Sequence, residues 1–89
     1  MEHFLAERYL AGQDRASLAR DANRITRATT KLPQVRLVTT LYVPEDETCF
    51  YLFESDTADG TRAVGDFDRV VAVTVSQAAT RETSHRQGG

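Results

Sequence analysis

The residue types that bind soft metals or attack electrophiles are scarce in this chain. His3, His85 and Cys49 are its whole supply of imidazole and thiolate. Nickel and zinc take three or four such ligands together, and no two of these stand at a metal-ligand spacing. His3 and Cys49 are therefore the metal candidates, and two copies of the chain would double them. Against that, a lone cysteine in an apolar run is commonly a small hydrophobe, and a histidine near a chain end is commonly a surface residue. Glu7-Arg8 interrupts an otherwise apolar run. If that run is a central strand, one of the pair must enter an interior or a groove. A carboxylate there needs a partner, for which Arg36 and Arg69 are available, or it becomes a possible acid or base. Tyr9, Tyr42 and Tyr51 offer hydroxyls to a ligand or anchors to an interface. Glu7, Tyr42 and Tyr51 are thus the candidate ligand-binding residues. The chain carries no catalytic triad, nucleophile motif or glycine-rich phosphate loop.

Composition narrows the classes further. Eighty-nine residues make one domain. A net charge of −2 argues against a general nucleic-acid partner, which needs a basic excess. The charge is unevenly placed, with five basic and two acidic residues over Asp14–Lys31 but one basic and eight acidic over Pro44–Asp68. A single cysteine permits no intrachain disulfide, so a reducing, cytoplasmic setting is expected. The start, "MEHFLAERYLAGQDR", lacks a basic region followed by a long apolar one, so no signal peptide is expected. No run approaches the ~18 apolar residues of a membrane span.

The elements that must position these groups follow from periodicity. Glu2–Leu10 reads as a strand that Gly12 ends. Asp14 or Ser17 can cap a helix in which Leu18, Ala22, Ile25 and Thr29 form one stripe, with Arg20, Arg24 and Arg27 on another face as a solvated surface. Pro33 stops it. Val35–Val43 is a second strand, "PEDE" (Pro44–Glu47) a turn, and Thr48–Ser55 a third strand. Asp56–Gly65 suggests a short helix, which Gly60 weakens by about 1 kcal/mol. Val70–Val75 is a fourth strand. Ser76–Gly89 is polar and aperiodic, so residues 77–89 read as a disordered tail and residues 1–76 as the domain. The order βαββαβ predicts an α+β, ferredoxin-like fold: a four-stranded antiparallel sheet, strands one and three central, with both helices on one face.

The third strand, "TCFYLFES" (Thr48–Ser55), is apolar on both faces. With Val43 opposite Thr48, Tyr42 faces Cys49, Thr40 faces Tyr51 and Val38 faces Phe53. Leu37, Leu41, Val43, Phe50 and Leu52 then form an aliphatic face expected to lie under the helices. Val38, Tyr42, Cys49, Tyr51 and Phe53 form an aromatic face that a single copy would leave bare. A contiguous apolar patch usually marks an interface, so a homodimer packed through the aromatic sheet face is expected.

Three segments, "FLAERYL" in strand one, "YLFESDT" leaving strand three and "DFDRVVAVTV" entering strand four, resemble the small ferredoxin-like nickel-binding-protein family of bacteria. The resemblance implies a ferredoxin-like dimer, an intracellular setting and binding of nickel or another divalent metal. The family's cysteine, two residues before the aromatic–Glu pair of strand three, is Tyr51 here, and Cys49 lies one step earlier on the same face. The resulting expectation is a cytoplasmic homodimer that binds a divalent metal weakly or not at all, or a small ligand, at the cleft between two sheets, with no membrane or nucleic-acid partner. The alternative is a dimeric α+β-barrel enzyme, of oxygenase or isomerase type, using the same cleft.

Overall fold

A computed structural model describes residues 2–76. Residues 77–89 of the segment read as a tail, with His85, lie outside the described residues. The elements are β1 (Glu2–Tyr9), α1 (Arg15–Thr29), β2 (Val35–Val43), β3 (Thr48–Ser55), α2 (Ala58–Arg62) and β4 (Arg69–Val73), with a 3-10 turn at Pro44–Asp46. Every strand pair is antiparallel and the order is β2-β3-β1-β4, so β1 and β3 are central, as the chain order predicts.

Local chemistry sets the boundaries. Asp14 caps α1: its carboxylate accepts from Ser17 N–H at 2.8 Å, and Asp14 N–H donates to Ser17 Oγ at 3.1 Å, a reciprocal capping box. Thr57 caps α2 by accepting from Gly60 N–H at 3.0 Å. The turn into β3 ends on Glu47 in the left-handed region, φ 49°. That conformation costs a non-glycine residue about 1–2 kcal/mol. Contacts from the opposite loop offset the cost: Glu47 O accepts from Leu10 N–H at 2.7 Å, and its carboxylate accepts from Tyr9 O–H at 2.9 Å and Gly12 N–H at 3.2 Å.

The register of β2 on β3 starts as predicted, with Val43 opposite Thr48, Tyr42 opposite Cys49 and Thr40 opposite Tyr51. A bulge between Leu37 and Thr39 then inserts one residue, so Leu37, rather than Val38, opposes Phe53. Leu37 joins the core and Val38 is left exposed.

The two faces of the sheet are used the other way round from expectation. Cys49 (3% exposed), Tyr51 (0%) and Phe53 (0%) lie under the helices with Phe4, Ala6, Val35, Ile25 and Val64. Phe67, after α2, closes the layer, its ring 5.4 Å from that of Tyr51 and 5.8 Å from that of Phe53. The reason is volume. The helices offer small groups to the sheet, Ala22, Ala28, Thr61 and the close-packed Gly60, and α2 is five residues long. Large rings on the strands fill space that aliphatic side chains would leave as cavities. The face without helices carries Leu5, Phe50, Leu52, Val71 and Leu41, the last 63% exposed.

Candidate functional site

The aromatic floor meets α1 at a carboxylate. Leu18, Asp21, Ala22 and Ile25 fall at i, i+3, i+4 and i+7, so all four turn toward the sheet. Asp21 is 12% exposed and gathers three partners. The Tyr51 hydroxyl donates to its Oδ2, Arg24 donates to its Oδ1 at 2.6 Å, and the Arg8 guanidinium, 26% exposed, stands 3.6 Å from Oδ1. Arg8 reaches this side because it shares strand parity with Phe4 and Ala6, opposite Cys49 on β3.

These contacts set the protonation states. Burial pushes the Asp21 carboxyl up, but the hydrogen bonds from Tyr51 and Arg24 and the charges of Arg8 and Arg24 outweigh it, leaving the group below its ordinary value of 3.8. Burial, then the bonds with Asp21 and Cys49, raises the Tyr51 phenol far above 10. Burial also raises Cys49, assisted by the Asp21 charge and opposed by Tyr51 and Arg8. At neutral pH the cluster is thus a carboxylate, a phenol and a thiol, and the thiol is no ready nucleophile.

Beside the cluster, between α1 and the β2–β3 pair, lies a depression of about 190 Å³. Cys49 and Tyr51 make its floor, Leu18 and Ala22 one wall, Thr40 and Tyr42 the other. Tyr42 is held by donating its hydroxyl proton to Leu10 O at 2.8 Å. Two of the predicted ligand-binding residues, Tyr42 and Tyr51, therefore meet at one site, but under the chain's own helix and not between two sheets. The expected inter-sheet cleft is corrected accordingly: the helices claim the aromatic face because their small side chains leave room for its rings.

Glu7 is not part of this site. Its strand parity puts it on the open face, where Arg69 pairs with it at 3.4 Å. His3 shares that face and stands 3.4 Å from Glu54, which also takes two hydrogen bonds from Arg36 at 2.6 and 3.0 Å. His3 and Cys49 are thus on opposite faces and, measured along β1, five residues or about 17 Å apart. They cannot hold one ion within a single chain. Among the described residues no group of three or more His, Cys, Asp or Glu is placed to hold a metal. The described side chains do not fit the nickel ion that the family resemblance implies. No helix among the described residues is long and apolar enough to cross a membrane.

Asp21 is the site residue with no mark in the sequence reading; Arg8 enters there only as half of the Glu7-Arg8 interruption, one member of which must turn inward, and Thr40 only as the residue opposite Tyr51. Asp21 had a readable signal, since it falls within the inward arc of the α1 stripe. Arg8 had a parity signal, being two residues beyond Ala6.

No family model matches the chain, and comparison with curated proteins gives no match. Among solved structures, the crystal structure of SCO4226 from Streptomyces coelicolor A3(2) is similar, with a TM-score of 0.67 and 22% sequence identity over 84% of this chain and 99% of that one. At that identity the likeness shows the fold alone.

Proposed function

We infer that the protein is a homodimeric small-ligand-binding protein whose ligand sits in the depression between α1 and β2–β3. The observation that carries this reading is the depression itself: about 190 Å³ at the one place where the core's tyrosines, its thiol and a half-exposed strand wall converge. A cavity on the order of 150 Å³ takes up benzene, so the space suits a single ring and no more. Binding is favoured over catalysis because Cys49 is kept protonated and the proton of Tyr51 is committed to Asp21. The nickel-binding reading has no comparable support.

The dimer rests on the open face. Leu5, Phe50, Leu52, Val71 and Leu41 form a contiguous apolar surface, bordered at one end by Glu7–Arg69 and at the other by Glu54 with Arg36 and His3. Leu41 is 63% exposed and the other four are partly buried, so covering the face gains less than the roughly 1.5–3 kcal/mol of a full burial for each, and a second copy of the same surface covers them with its own. Native mass spectrometry of protein taken directly from cells tests both halves of the proposal. Dimer mass with a copurified small molecule supports it. A bare monomer at micromolar concentration rejects it.

A further inference from the structure

The depression has a hydrogen-bonding bias that narrows the chemistry of its ligand. None of the six residues lining it is a formal ion: Leu18, Ala22, Thr40, Tyr42, Cys49 and Tyr51. The nearest carboxylate, Asp21, is already engaged by Tyr51, Arg24 and Arg8, so it has no unbalanced charge to offer a cation. Arg24 and Arg8 are both paired with Asp21 and neither lines the depression, so an anion meets no counter-ion in the lining.

The remaining polar handles are oxygens. A phenol has one proton to give. Tyr42 gives its proton to Leu10 O and Tyr51 gives its proton to Asp21. Toward a third partner both oxygens can only accept, as can the faces of their rings. The Thr40 hydroxyl makes no hydrogen bond among the described residues and can accept or donate. Tyr42 and Thr40 are the half-exposed pair and meet the ligand first. Tyr51 lies beneath with no exposed surface and shapes the floor. A ligand without a proton to give would strip water from the Tyr42 oxygen and return nothing, which is the expensive way to bury a polar atom.

Resting on the reading of this depression as a ligand pocket, we propose that its ligand is an uncharged, single-ring compound that donates a hydrogen bond to Tyr42, a phenol being the simplest member of the class. Leu18 and Ala22 cover one side of the ring and the edge of Cys49 touches its underside. The ring's O–H or N–H points to β2. Methylating that donor removes the bond without changing the ring, and the single bond is worth about fivefold in affinity.

Calorimetric titration of the full chain with phenol, anisole and benzoate tests this. Phenol is expected to bind at one site per chain, about fivefold more tightly than anisole, with benzoate weakest. Tyr42→Phe should bring the phenol-to-anisole ratio close to one, because phenol loses its acceptor and anisole no longer strips water from a buried hydroxyl. Ala22→Phe fills the depression from α1 and should abolish binding of all three, with Thr40→Ile as the blocking variant from β2 should the first not fold. Anisole or benzoate binding as tightly as phenol overturns the donor class and leaves the pocket standing. A ratio that Tyr42→Phe does not move overturns the assignment of the acceptor. Failure of every ring compound to bind, or phenol binding that survives both blocking variants, overturns the pocket itself.

Discussion

Replacing Asp21 by alanine isolates what the buried charge cluster contributes. The substitution removes a hydrogen bond from Tyr51 to a carboxylate, worth about 1.5–3 kcal/mol when one partner is charged. It also removes the Arg24 pair, which is half-exposed and worth about 0.2–1 kcal/mol, and leaves the mostly buried Arg8 without its counter-ion. Alanine returns up to about 0.7 kcal/mol of helix propensity over aspartate in α1. The net loss is about 2 kcal/mol, a sizeable part of the ~5–15 kcal/mol typical of a domain. Urea unfolding followed by circular dichroism should show the midpoint falling by roughly 1 M. The pH dependence gives a second check. Because Asp21 is held below 3.8 in the folded chain, its contribution is fully present above the unfolded value and is lost as pH falls through the folded one. The gap between wild type and D21A should therefore be the same at pH 7 and pH 5 and close below about pH 3.8. A gap under 0.5 kcal/mol at pH 7, or one that persists undiminished at pH 2, would refute the account of the cluster.

Further outcomes follow from the two faces and the tight packing. Phe50→Asp, on the open face, should give a folded monomer in sedimentation, whereas Phe53→Asp, fully buried under the helices, should prevent folding; a folded F53D monomer would reverse the assignment of faces. Gly60→Ala raises the helix propensity of α2 by about 1 kcal/mol, yet the added methyl would stand 2.9 Å from Ser55 Oγ and 3.2 Å from Val35 Cγ2. A net loss of about 1–2 kcal/mol in thermal unfolding is expected, and a stabilised G60A would show that the contact yields. Cys49 should react with iodoacetamide at pH 7.5 more slowly than a free thiol, because burial holds its thiol above the ordinary range and keeps the thiolate scarce. A rate matching that of glutathione would mean that the thiol is neither buried nor raised.

Element order, strand order and most of the β2–β3 register were legible because each rests on local signals: the Asp14 cap, the stop at Pro33, and a four-residue turn that sets Val43 against Thr48. The bulge at Val38 was not legible. Val, Thr and Thr continue across it without a glycine or any other mark, and what selects it is the fit of Leu37 over Phe53 in the finished core. The orientation of the sheet failed for a related reason. Alternation in "TCFYLFES" assigns residues to two faces but does not say which face is the interior when both are apolar. The deciding quantity lies elsewhere in the chain, in how much volume the helices supply. Leu18, Ala22, Ala28, Thr61 and Gly60 leave a gap that Tyr51, Phe53 and Phe67 fill and that leucines would not.

The same inversion explains why the site was found in part. The sequence pattern makes Tyr42 and Tyr51 ligand residues of a face open to a second copy. They share a site because that face is closed, with α1 lowered onto it and one corner left unfilled beside Ala22. A carboxylate then becomes possible on the inward arc of α1, because the Tyr51 hydroxyl and two guanidiniums are there to meet it. Remove the rings to the other face and Asp21 would be a buried, unmatched charge. The placement of Asp21 between Leu18 and Ile25, and of Arg8 two residues beyond Ala6, is therefore chemically consistent with the aromatic face turned inward and with no other arrangement of the sheet. Side chains that carry charge inside a periodic apolar pattern thus decide between two faces that hydrophobicity alone leaves equal.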